Sequence, residues 1–74
     1  MASIPGDPRK VLGLAIKRRR LKRGLTQEQL AEAADLHWTY ISGIERGIRN
    51  VSILNLWHIA RALGLRVRDL VKEL

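Results

Sequence analysis

Only two residues, Asp35 and Leu36, separate the helical pattern that ends at Ala34 from the one that begins at His37. So short a link forces the two helices to cross steeply and demands a small side chain where they touch, a place that Ala31 fills. The first helix of the pair opens as "TQEQLAEAA". Thr26 is a good N-cap, Gln29 completes a capping-box pattern, and Leu30, Ala33 and Ala34 form the inward stripe. The second helix, over residues 37–46, turns Ile41, Ile44 and Glu45 inward and Thr39, Ser42, Gly43 and Arg46 outward, with Trp38 on the flank. Gly47 follows as a left-handed terminator. The crossing leaves the second helix with one exposed face, and that face is small, polar and basic.

The rest of the chain keeps the helical period, and no run alternates with period two for long enough to suggest a strand. A first helix is expected over residues 9–22, with Pro8 suiting its first turn and Gly24 stopping it. Leu12, Ile16 and Arg20 fall at i, i+4 and i+8, so a guanidinium shares an aliphatic face and implies a partner. A fourth helix starts after Ser52 and ends at Gly64, with Ile53, Leu56, Ile59, Ala60 and Leu63 at core spacing. A short fifth, from about Arg66, carries Val67, Leu70, Val71 and Leu74 on one side. The expectation is an all-α domain of five helices over residues 9–74. Before it, residues 1–8 ("MASIPGDP") form a loose arm, because prolines and a glycine crowd that stretch.

Seventy-four residues lie near the lower size at which one hydrophobic core supports itself, and there are no cysteines to brace it with a disulfide or a thiolate zinc site. A dimer would add buried surface, and the lack of cysteine fits a reducing cytoplasm. The formal charge of +7, from 14 Lys plus Arg against 7 Asp plus Glu, favours a polyanionic partner: DNA, RNA or an anionic membrane surface. No apolar run approaches the roughly 18 residues of a membrane span, and no secretory signal is visible. His37 and His58 lack ligands at metal spacing, so no metal is expected. No nucleophile–histidine–acid set, paired acids or phosphate-cradling glycine loop appears, so neither catalysis nor a cofactor is expected.

"LTQEQLAEAADLHWTYISGIERGIRN", continuing into "IARALGL", resembles the helix-turn-helix of phage repressor and Cro-like transcriptional regulators. Through "TYISGIERGIRN" it is especially similar to the small controller proteins of restriction–modification systems. The resemblance covers about residues 14–70 and implies a compact lambda-repressor-like domain that dimerises and binds operator DNA. One position departs: Asp35 stands where the family commonly has glycine, because the turn needs a left-handed backbone, and Asp tolerates that better than most residues.

The resemblance also assigns roles. Gln27 would meet a phosphate at the start of the second helix, where a helix N-terminus attracts anions. Trp38 and Thr39 would reach base edges, with Ser42 one turn later. Trp38 has one indole donor and a large apolar face, and packing over the helix junction is an equal reading for it. Gly43 would let a backbone approach while reading nothing. Arg49 is the candidate for guanine, through two hydrogen bonds worth roughly 1–3 kcal/mol of discrimination, against a plain phosphate clamp as the other reading. Arg46, Asn50 and the Tyr40 hydroxyl are expected on phosphates. The family pairs arginine with glutamate at Arg20 and Glu45, and both lie on inward faces here, so a partly buried salt bridge is expected. The run "KRRRLKR" is read as a solvated basic face rather than a localisation signal.

Leu54 and Trp57 remain once the inward positions of the fourth helix are assigned. With Leu65, Val67, Val71 and Leu74 they could form a two-fold interface, or simply thicken a thin core. The resulting expectation is a cytoplasmic bacterial or phage regulator, a homodimer on a near-palindromic double-stranded operator, with RNA polymerase a further candidate partner. The competing class is a protein-interaction module, an antitoxin or transcription adaptor, that uses the surface of the last two helices.

Overall fold

The computed structural model describes residues 6–74, and within them the chain forms five helices: α1 (Pro8–Lys22), α2 (Gln27–Ala34), α3 (Trp38–Glu45), α4 (Ile53–Ala62) and α5 (Val67–Val71). Of the arm expected over residues 1–8, residues 1–5 lie outside the described part, while Asp7 is the N-cap of α1 and Pro8 its first residue. Asp7 caps the helix by accepting from the Arg9 backbone N–H at 2.9 Å. The Arg9 guanidinium also lies 2.8 Å from the Asp7 carboxylate. The side-chain and then the backbone hydrogen bonds from Arg9 lower the Asp7 pKa to about 2.

The capping box at α2 is complete: Thr26 N–H donates to Gln29 Oε1 at 2.8 Å, and Gln29 N–H donates to Thr26 Oγ1 at 3.0 Å. Asp35 then turns the chain with φ 56° and ψ 45°, the one non-glycine with positive φ among the described residues. Leu36 N–H reaches back to the Ala31 carbonyl at 2.8 Å and closes the bend. His37 ends the link as the N-cap of α3.

Packing follows from that bend. Helix α2 lies against both α3 and α4, α1 crosses α3, and α5 closes the open end against α1 and α4. Ile16, Leu30, Ile41, Ile44, Ile59, Leu63 and Leu70 are fully buried, each contributing about 1.5–3 kcal/mol by leaving water. Arg23 fastens the far end by donating to the Leu63 carbonyl at 3.0 Å, the C-cap of α4. Where α1 crosses α3, Gly13 sits directly on backbone: a methyl there would run into the carbonyl oxygens of Ile44 and Glu45, the latter at 2.8 Å.

Three expected orientations are corrected. Ala33 is exposed, and the buried stripe of α2 is Leu30, Ala31 and Ala34, because α3 and α4 pack on that side. Ile53 is 72% exposed: as the first residue of α4 it projects outside the packed elements. Gly43, placed outward by the helical wheel, is buried beneath a residue that returns from the following loop.

Candidate nucleic-acid interface

The inner side of α3 is held by charge. Glu45, 6% exposed, accepts from Arg20 Nε at 2.7 Å and from Arg20 Nη2 at 2.9 Å, a two-pronged pair between α3 and α1. Arg20 also donates to the Leu25 carbonyl at 2.8 Å. The Glu45 hydrogen bond and its charge hold the guanidinium above the ordinary arginine range, while burial opposes them. Gln27 joins this network: its side-chain amide donates to Glu45 Oε1 at 3.1 Å. The side chain expected on a phosphate is therefore turned inward, and at this helix start the backbone N–H remains for an anion.

The outer side is presented to solvent. Trp38 is 47% exposed and absent from the core; its ring stacks on His37 at 6.4 Å between centroids. His37 Nδ1 accepts from Thr39 N–H at 3.2 Å and lies 2.7 Å from the Thr39 hydroxyl, so the cap also fixes where that hydroxyl sits. Thr39, Arg46, Arg49 and Asn50 are exposed and Ser42 is half-buried. Arg46 leans back along the helix, its Nε donating to the Ser42 carbonyl at 3.4 Å.

Tyr40 takes a different place from the one expected. Its hydroxyl donates to the Asn50 carbonyl at 3.3 Å and accepts from the Asn55 amide at 3.2 Å, so its proton serves the loop between α3 and α4 rather than pointing outward. The ring instead carries the Arg49 guanidinium, whose carbon lies 5.3 Å from the ring centroid. Arg49 crosses the face of α3 over Gly43 on its way there. Sequence reasoning missed Asn55 and the seat at Gly43. The one signal in the sequence was a glycine inside a short helix, read there as room for a backbone to approach rather than as a seat for a side chain.

The residues expected at a two-fold interface divide into two sets. Leu54 (62%), Trp57 (46%) and Leu74 (40%) are exposed, whereas Leu65, Val67 and Val71 pack partly against the chain's own core. Ile53 adds apolar surface beside Leu54, and the Arg61 guanidinium lies over Trp57 at 5.3 Å. Among the described residues no helix is long and apolar enough to cross a membrane, and no group of three metal-ligating side chains occurs.

A helix-turn-helix family model matches residues 16–70. Control protein C.BamHI of Bacillus amyloliquefaciens is 48% identical over 64 residues, spanning 85% of this chain and 79% of that protein. The immunity repressor protein of Bacillus phage phi105 is 45% identical over 62 residues, spanning 84% of this chain and 43% of the repressor. Among solved structures, the restriction-modification controller protein C.AhdI from Aeromonas hydrophila matches with a TM-score of 0.83 and 39% identity, over 84% of this chain and 94% of that one.

Proposed function

The chain belongs to the helix-turn-helix family of DNA-binding transcription regulators, and from that premise we propose that it acts as a homodimer on a near-palindromic operator. The observation that carries the proposal is the two-sided build of α3. Its inner edge is locked by Arg20 and Glu45, while Trp38, Thr39, Arg46 and Arg49 stand exposed on a chain of charge +7. In this reading Trp38, Thr39, Ser42 and Arg49 meet base edges in the major groove. Arg46, Asn50 and the backbone N–H groups at the start of α2 hold phosphates. Tyr40 acts at the strand edge through the arginine it carries.

Ile53, Leu54, Trp57 and Leu74 supply the apolar surface for the two-fold contact. Two copies of α3 about 34 Å apart would then enter successive major grooves on one face of the duplex. Such a dimer would work in the cytoplasm, at the nucleoid, by admitting or excluding RNA polymerase. The same apolar surface favours a second reading, a module that binds another protein. A purified chain that is a stable dimer with no exposed apolar surface supports the first reading; a monomer soluble only with a partner supports the second.

Selection of bound duplexes from a random pool tests the assignment. The expected product is one sequence with two inverted half-sites whose centres lie about 10 base pairs, or a multiple, apart. It should be bound roughly a thousandfold or more over random DNA, by an interaction that weakens steeply with salt. A pool that returns no enriched sequence contradicts it.

A further inference from the structure

A glycine within a helix weakens it, yet Gly43 is the sixth residue of the eight-residue α3. It is buried, and what buries it is specific: the three heavy atoms closest to a methyl built there are Cβ, Cγ and Cδ of Arg49. Cγ would collide with that methyl, and Cβ and Cδ would lie 3.4 Å from it. The missing side chain is thus a slot on the outer wall of the helix, and the aliphatic stem of Arg49 fills it. Beyond the slot the guanidinium comes to rest over the Tyr40 ring, and that ring is itself fixed by Asn50 and Asn55. The loop that brings Arg49 back is pinned by the Ile48 N–H donating to the Gly43 carbonyl at 3.0 Å. Stem, head group and loop are all held while the guanidinium stays exposed.

We propose that Gly43 is a specificity-positioning residue: its lack of a side chain seats Arg49 against α3, so that the guanidinium is already aimed when DNA arrives. The inference rests on the reading that Arg49 touches DNA. An arginine on a loop samples many rotamers, and ordering it on binding weakens the complex; seating it beforehand removes that loss. It also fixes which base step the guanidinium meets, since bidentate recognition of guanine depends on the angle of approach.

The obstructing Cγ can swing aside by rotation of the Arg49 side chain without any backbone moving, so Gly43→Ala should fold, with a thermal midpoint close to that of the wild type: the gain from removing a helical glycine offsets the lost seat of Arg49. Its affinity for the duplex recovered by random-pool selection is expected to fall on the order of tenfold, and less for a scrambled duplex of equal length. In an Arg49→Ala background the same substitution is expected to change nothing further, because the group it displaces is gone. In the free wild-type protein the Arg49 Nε–H should show a higher order parameter than that of Arg68, an exposed arginine on α5. A fall in affinity of equal size in both backgrounds would overturn the proposal, since the added methyl would then be acting on DNA or on the helix itself. So would an unchanged affinity in Gly43→Ala while Arg49→Ala weakens binding, or an Arg49 Nε–H as mobile as that of Arg68. An Arg49→Ala protein that binds like the wild type removes the underlying reading, and is recognisable as that separate failure.

Discussion

Glu45→Ala is expected to lower stability by about 3–5 kcal/mol, the usual result of removing one member of a buried ion pair. Arg20 would keep a single hydrogen bond, to Leu25, and its charge would lie 7% exposed against the helix it now braces. The Gln27 amide would lose its acceptor at the same time. A single core in a chain this short rarely supplies more than about 3–5 kcal/mol, so the substitution removes most of what there is. Circular dichroism melts should show the midpoint fall by about 12 °C or more. Replacing both partners with apolar residues, Arg20→Met with Glu45→Leu, should return most of that stability because no charge is left unpaired. A loss below about 1 kcal/mol in Glu45→Ala would mean that the pair does not anchor α3.

Gly13→Ala is expected to destabilise the fold, whereas the same exchange at Gly43 should not. Both replace a glycine inside a helix, a change that by itself favours the helix by about 1 kcal/mol. At Gly13 the new methyl meets the carbonyl oxygens of Ile44 and Glu45, and these are backbone atoms that cannot rotate away. Helix α1 or α3 must shift, at a cost of about 1–3 kcal/mol or more, and the overlap places this site at the upper end. The net expectation is a loss of about 2 kcal/mol or more in thermal or urea unfolding, with weaker duplex binding because α3 moves from its support. An unchanged or higher midpoint would show that the crossing yields at little cost.

What could be read in the sequence was local or strongly periodic. The capping box at Thr26 and Gln29 and the left-handed turn at Asp35 depend on residues within one helix or its ends, and the inward faces of Arg20 and Glu45 follow from the period of each helix, while their pairing is what the family resemblance implies. What escaped came from segments that return across a helix. A helical wheel gives the direction of the Gly43 Cα but not that Arg49 comes back to cover it. The Tyr40 hydroxyl is expected on a phosphate, but its partners come from elsewhere in the chain, Asn50 from the loop before α4 and Asn55 from the first turn of α4 itself. The Gln27 amide faces a carboxylate 18 residues away, a partner that the start of its own helix does not reveal. Gly13 gave no signal, since its reason lies in carbonyl groups of another helix.

The chain's two tryptophans report separately on the two faces at issue, Trp38 on α3 and Trp57 on α4. The most direct test is an amide spectrum in which both indole N–H signals are followed as the selected duplex is added at low ionic strength, with Trp57→Phe to assign them. The account predicts that the Trp38 signal moves from the first addition, returns when salt is raised, and leaves Trp57 in place. Movement of Trp57 with Trp38 unchanged, or no movement of either, would contradict it.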